Sequence, residues 1–95
     1  MKAVHKYTVT PEGKTEMPAG AEVLSVGVQQ DVIVVWALVQ IGHPPAIRRL
    51  VAVPTGYRCD DADAPTRAQF VGTVQIVDGL VFHIFDAGEL PAWGN

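Results

Sequence analysis

The sequence predicts an all-β fold, a single small domain of antiparallel strands, and three observations lead to this prediction. The run of residues 32–39 is apolar throughout and rich in β-branched side chains, which fit a pleated sheet and lose rotamer freedom in a helix. The dipeptide Asp78-Gly79 separates two apolar segments and is typical of a tight hairpin turn. No window has the apolar spacing of an amphipathic helix, whereas glycine and proline interrupt short extended segments.

One strand and a short extended piece are predicted first. Residues 4–9 form the strand, and in the turn after it Pro11 fixes one torsion and Gly13 supplies a permissive one. The extended piece at residues 15–17 stops at Pro18, because proline cannot donate a hydrogen bond to a sheet.

The second strand and the central run are predicted to pair as an antiparallel hairpin. The second strand covers residues 21–28, in which Leu24, Val26 and Val28 alternate with Ser25 and Gly27, as is typical of a half-buried strand. The polar break at residues 29–31 is short enough to turn the chain directly into residues 32–39. The segment 41–45 then breaks regular structure with one glycine and two prolines.

The second half of the chain is predicted to contain three strands, at residues 47–53, 69–77 and 80–85. Asp78-Gly79 joins the last two, and residues 54–66 form one long irregular connection. We therefore expect about six strands, arranged as a meander, a barrel or a sandwich. They form a domain at residues 1–86, followed by an irregular C-terminal tail at residues 87–95.

The central run needs a cover on both faces. A strand sends alternate side chains to opposite faces, so residues 32–39 are apolar on each. Either a second layer of the same chain or another copy of it must cover them. Charged residues make up only 18% of the sequence, which favours self-association. We therefore expect a homo-oligomer.

Charge and cysteine content narrow the classes of function. The net charge is −3 and Arg48-Arg49 is the only pair of adjacent basic residues, so direct nucleic-acid binding is not expected. Cys59 is the only cysteine, which excludes an internal disulfide and a thiol cluster for zinc. The first residues lack the apolar segment of a signal peptide, and no transmembrane signal follows. We expect a cytoplasmic protein with no membrane contact and no cofactor.

The loop after residue 57 offers acidic groups and a thiol. Asp60, Asp61 and Asp63 lack the turn glycine and closing carboxylate of a calcium loop, so a solvated acidic loop is favoured over a metal site. Contact with a basic partner surface remains open to this loop. Arg58 lies next to Cys59, but the sequence indicates neither a base nor an oxyanion hole for a nucleophile.

Four other residues are candidates for binding. Arg48 and Arg49 point to opposite faces of their strand, which predicts that this strand is an edge or an interface. His83 has no catalytic partner at a recognisable spacing, so a histidine bonded to a neighbour is favoured over a base. Trp93 either anchors a partner or subunit or packs on its own domain. No catalytic residue is predicted, and the proposed binding residues are Arg48, Arg49, Arg58, Asp60, Asp61, Asp63, His83 and Trp93.

Several short segments resemble those of a known group of sequences: MPAGA at 17–21, LSV at 24–26, VWALV at 35–39, TG at 55–56, FVGTVQ at 70–75 and GLVFHIF at 79–85. Through them the chain resembles a family of short uncharacterised proteins encoded by tailed phages and prophages. The resemblance implies a phage setting, a compact β fold and an accessory role, and it transfers no catalytic residue. Residues 57–61 and the tail depart from the family pattern.

The resemblance leads to three functional hypotheses. The first is a non-enzymatic phage accessory protein that acts by stoichiometric binding, as an inhibitor of a host defence protein (anti-CRISPR-like or other anti-defence). The second is an oligomeric sponge that sequesters a nucleotide-like signalling molecule, with Arg48, Arg49, Arg58 and His83 as phosphate contacts. The third is a structural or assembly component of a phage particle.

Overall fold

The computed structural model describes residues 1–58 and 68–90, which fold into two antiparallel sheets. The strands in chain order are β1 (Lys2–Thr8), β2 (Lys14–Pro18), β3 (Glu22–Gln29), β4 (Val32–Gln40), β5 (Pro45–Pro54), β6 (Gln69–Gln75) and β7 (Val81–Glu89). One sheet has the strand order β1-β4-β3 and the other has the order β2-β5-β7-β6. The all-β prediction is confirmed.

The number and order of the strands differ from the prediction. The described residues form seven strands rather than six, because the piece predicted at residues 15–17 is a full strand, β2. Thr15 and Met17 are buried there while Lys14 and Glu16 are exposed, so β2 has one face on the core. The meander is wrong, since β4 lies between β1 and β3, and β5 lies between β2 and β7.

Both predicted hairpins are confirmed. β3 and β4 pair through a turn at Gln30 and Asp31, both of which have positive φ. β6 and β7 pair through a short 3-10 turn at Val77–Gly79, where Asp78 and Gly79 have φ of 68° and 76°. Positive φ at two successive residues is what a type I′ hairpin turn requires.

The strand predicted at residues 47–53 is an edge only beyond Leu50, where β2 no longer reaches it, and the last strand is longer than predicted. β5 has hydrogen-bonded neighbours on both sides. β7 continues to Glu89, inside the predicted tail, because β5 offers it a partner that far. Arg48 of β5 is paired in register with Glu89, and the amide of Leu90 donates to the carbonyl of Ile47 at 2.8 Å.

The core lies between the two sheets. The inner face of β4 contributes Val35, Ala37 and Val39, and the other sheet contributes Met17 and Leu50. Each of these five side chains is at most 2% exposed. One face of the central strand is therefore covered by a second layer of the same chain.

Candidate functional site

The outer face of the β1-β4-β3 sheet presents apolar side chains to solvent. We call this surface the apolar face, and its residues are Val4 of β1 and Val32, Val34, Trp36 and Leu38 of β4. They share one side because Val4 is paired with Leu38 and residues two apart on β4 point the same way. Val4 and Val32 are 53% and 43% exposed. The second face of the central strand is therefore left uncovered by the other sheet.

Two contacts shield the middle of the apolar face. The ammonium group of Lys6 donates to Gln29 Oε1 at 2.6 Å, which links β1 to β3 across β4. Val34, on the strand between them, is only 3% exposed. Trp36 packs against Gly27 of β3, where an added Cβ would come within 2.9 Å of the indole. Glycine at position 27 thus allows the ring to lie close to the sheet.

Charges of opposite sign flank the apolar face. Lys2 and Lys6 lie on its β1 side, since they are paired with Gln40 and Trp36 of β4. Glu22 lies on its β3 side as the partner of Leu38. A partner that covers this face would therefore meet cations along one edge and a carboxylate along the other.

His83 is hydrogen-bonded on both sides of its ring. Thr55 Oγ1 lies 2.7 Å from His83 Nε2, and Thr73 Oγ1 lies 2.9 Å from Nδ1. A neutral imidazole has one donor and one acceptor, so one hydroxyl accepts and the other donates. No carboxylate in the described ranges forms an ion pair with this ring. The arrangement ties the end of β5 and strand β6 to β7.

Arg48 forms an ion pair on the inner side of the four-stranded sheet. Its Nε and Nη2 donate to the two carboxylate oxygens of Asp86 at 2.9 and 2.8 Å, and Nη1 donates to the carbonyl of Ala21 at 2.6 Å. The Arg48 and Asp86 side chains are 13% and 7% exposed. Glu89 adds a carboxylate oxygen 3.8 Å from Nη1. A ligand would have to displace these contacts to reach the guanidinium.

The pKa values of this pair move apart. The hydrogen bond to Asp86 raises the pKa of Arg48 and outweighs the opposing effect of burial. Burial by itself would raise the pKa of Asp86, but hydrogen bonds from Arg48 and from the amide of Gly88 hold that pKa below its usual value. Both groups are therefore charged at neutral pH.

Arg49 lies on the other side of β5, directly opposite Lys14 of β2. Its side chain is partly buried and has no hydrogen bond or ion pair with any described residue. Arg49 and Lys14 both line a cleft of about 710 Å³, which we call the end cleft. The turn between β1 and β2, the start of β4 and the middle of β5 form its walls, together with Ile76 and Phe82.

The predicted binding residues that the structure describes do not converge on one site. Arg48 and Arg49 lie on opposite faces of β5, Arg58 is exposed beyond the end of β5, and His83 is held by threonines. The other predicted binding residues, Asp60, Asp61, Asp63 and Trp93, lie outside the described residues, as does Cys59. Within the described ranges no three metal-ligating side chains cluster, and no helix is long and apolar enough to cross a membrane.

These features define a small all-β protein of two antiparallel sheets, with a partly exposed apolar sheet face and a cleft at one end. A family model for a domain of unknown function, DUF7352, matches residues 1–92, so the chain belongs to that family. Comparisons with curated proteins and with solved structures give no significant match. The family description names no activity, so the function rests on the surfaces of this chain.

Proposed function

We propose that this protein is a non-enzymatic binding protein that forms a stoichiometric complex with a partner protein through the apolar face. The exposed side of the central strand carries this proposal. It places Val4, which is 53% exposed, beside the partly buried Trp36 and Leu38 on a sheet face that the other sheet does not cover. Aromatic and aliphatic groups with a polar rim are typical of interface centres.

The flanking charges specify the chemistry of the partner surface. Lys2 and Lys6 favour carboxylates on one side, and Glu22 favours a basic residue on the other. We propose a host defence protein as this partner, and the only ground for that choice is the resemblance to phage-encoded proteins.

The test compares wild-type protein with two variants in a pulldown from host extract, followed by native mass spectrometry. Val4→Glu places a carboxylate in the apolar face at a position that is 53% exposed, so the fold should survive. Leu80→Glu is the matched control, since Leu80 is 54% exposed and lies in the β6–β7 turn. We expect a one-to-one complex for wild type and the control, and at least about tenfold weaker binding for Val4→Glu.

Two results would contradict the proposal. Equal retention of the partner by Val4→Glu would place the contact elsewhere on the chain. A wild-type homodimer that Val4→Glu converts to a monomer would assign the apolar face to a second copy of the chain instead.

A further inference from the structure

The end cleft combines an apolar floor with two cations, Lys14 and Arg49, that form no ion pair with any residue in the described part of the chain. We propose that it binds a small organic anion, a molecule with an apolar body of one to three rings and a single carboxylate, sulfonate or phosphate group. The end cleft adjoins the apolar face at Val32, which belongs to both, but Lys14, Arg49 and the floor of the cleft lie outside that face. The inference does not depend on the proposed function.

The floor of the end cleft suits an apolar body. Val9, Ile33, Ala52, Ile76 and Phe82 line it, and they come from both sheets and the β6–β7 turn. A volume of about 710 Å³ lies within the usual range for sites that take small molecules.

The walls are held in place by backbone hydrogen bonds. The amide of Val9 donates to the carbonyl of Ile33 at 2.9 Å, and the amide of Leu50 donates to the carbonyl of Gly13 at 3.1 Å. The amide of Val77 donates to Asp31 Oδ1 at 3.0 Å, which joins the β3–β4 turn to the β6–β7 turn. A ligand therefore meets a largely formed site and orders little of the chain on binding.

Lys14 and Arg49 supply the anion contact. They face each other across β2 and β5, and like charges in directly opposed positions destabilise a sheet. Glu12 and Asp31 also line the end cleft, yet neither lies within ion-pair distance of these cations. Asp31 instead accepts the hydrogen bond from Val77. An anionic group between Lys14 and Arg49 would relieve their repulsion and supply the partly buried guanidinium with acceptors.

The open edge of β5 adds a donor and an acceptor. Leu50 directs its backbone groups towards β2, since its amide bonds to Gly13. Ala52, two residues on, directs its amide and carbonyl the same way, but β2 begins at Lys14 and reaches no further than Arg49 in register. These two groups face the end cleft and can orient a polar substituent on the apolar body.

The experiment uses 8-anilino-1-naphthalenesulfonate as the probe, titrated by fluorescence against the full chain. N-phenyl-1-naphthylamine has the same aromatic body without the sulfonate, and inorganic phosphate supplies an anion without the body. We expect one bound sulfonate per chain, about tenfold weaker binding of the neutral amine, and weak competition by phosphate. Lys14→Gln and Arg49→Gln should each weaken the binding of 8-anilino-1-naphthalenesulfonate several-fold. The double variant should bind this sulfonate and the neutral N-phenyl-1-naphthylamine with equal affinity. Glu12→Gln should tighten sulfonate binding.

Two variants outside the cleft serve as controls. Lys2→Gln removes a cation beside the apolar face, and Val4→Glu disrupts that face, so both should bind the sulfonate like wild type. Loss of binding in Val4→Glu would mean that the probe covers the apolar face, which overturns the inference. Unchanged affinity in the Lys14→Gln/Arg49→Gln double variant, equal affinity of wild type for the two dyes, or no binding of the sulfonate would also overturn it.

Discussion

Arg48 and Arg49 are neighbours in the sequence, yet they occupy opposite environments. Arg48 points between the sheets, where Asp86 takes two of its donors and the carbonyl of Ala21 takes a third. Arg49 points to the outer side of β5 and faces another cation, Lys14. Arg48 is therefore hydrogen-bonded between the two sheets, whereas Arg49 lines the end cleft.

The difference shows that the faces of one strand can serve different purposes. A buried charge is tolerated only with a partner, and the two-oxygen geometry of Asp86 suits a guanidinium. Like charges in opposed positions destabilise a sheet, and no described residue forms an ion pair with Lys14 or Arg49. The free energy of unfolding should therefore depend strongly on Arg48 and very little on Arg49.

The largest expected effect comes from removing Arg48. Arg48→Ala leaves the carboxylate of Asp86 buried without its main partner, and we expect a loss of about 3–5 kcal/mol in the free energy of unfolding. Arg49→Ala should change it by no more than about 0.5 kcal/mol, because no described partner is lost. Urea unfolding of both variants followed by circular dichroism measures the difference.

A second variant keeps this test informative if Arg48→Ala does not fold. Replacing both members, Arg48→Met with Asp86→Leu, removes the charges together and should fold with stability near that of wild type. Equal losses in the free energy of unfolding for Arg48→Ala and Arg49→Ala would contradict the expected difference between the two arginines.

A smaller effect is expected from acid. The pKa of Asp86 is lowered in the folded state, so its contribution is complete above the unfolded-state pKa of about 3.9 and is lost as pH falls through the lower folded value. Asp86→Asn should therefore lose less stability than wild type between about pH 5 and pH 2, whereas Arg49→Gln should follow wild type. Urea midpoints across this range measure the slopes, and parallel curves for wild type and Asp86→Asn would contradict the assignment.

Local sequence pattern predicted the parts of the fold that depend on nearby residues. The β6–β7 turn is an example, because Asp78 and Gly79 together determine its torsions. The short strand β2 was underestimated, since only the alternation of Thr15 and Met17 indicates it and both are buried by distant strands. The strand order could not be predicted from the sequence either, because it depends on contacts between residues far apart in the chain.

The candidate sites could be predicted only in part for the same reason. The sequence indicated that Arg48 and Arg49 point to opposite faces, and it favoured a hydrogen-bonded His83. It could not identify Asp86 or Lys14 as their neighbours, because register alone brings those residues beside β5. The two threonines beside His83 were missed on the same ground, since each lies on a different strand or turn.

The smallest expected effect comes from reversing the charge opposite Arg49. Lys14→Glu replaces a like-charged cross-strand pair with an opposite one, and we expect a gain of about 0.2–1 kcal/mol in the free energy of unfolding. The same substitution in an Arg49→Gln background should give no gain, because the partner charge is gone. Added sodium chloride should stabilise wild type by screening the repulsion and should weaken the gain in Lys14→Glu. Equal effects of Lys14→Glu in both backgrounds would show that the two cations do not interact, and Arg49 would then resemble any isolated surface charge.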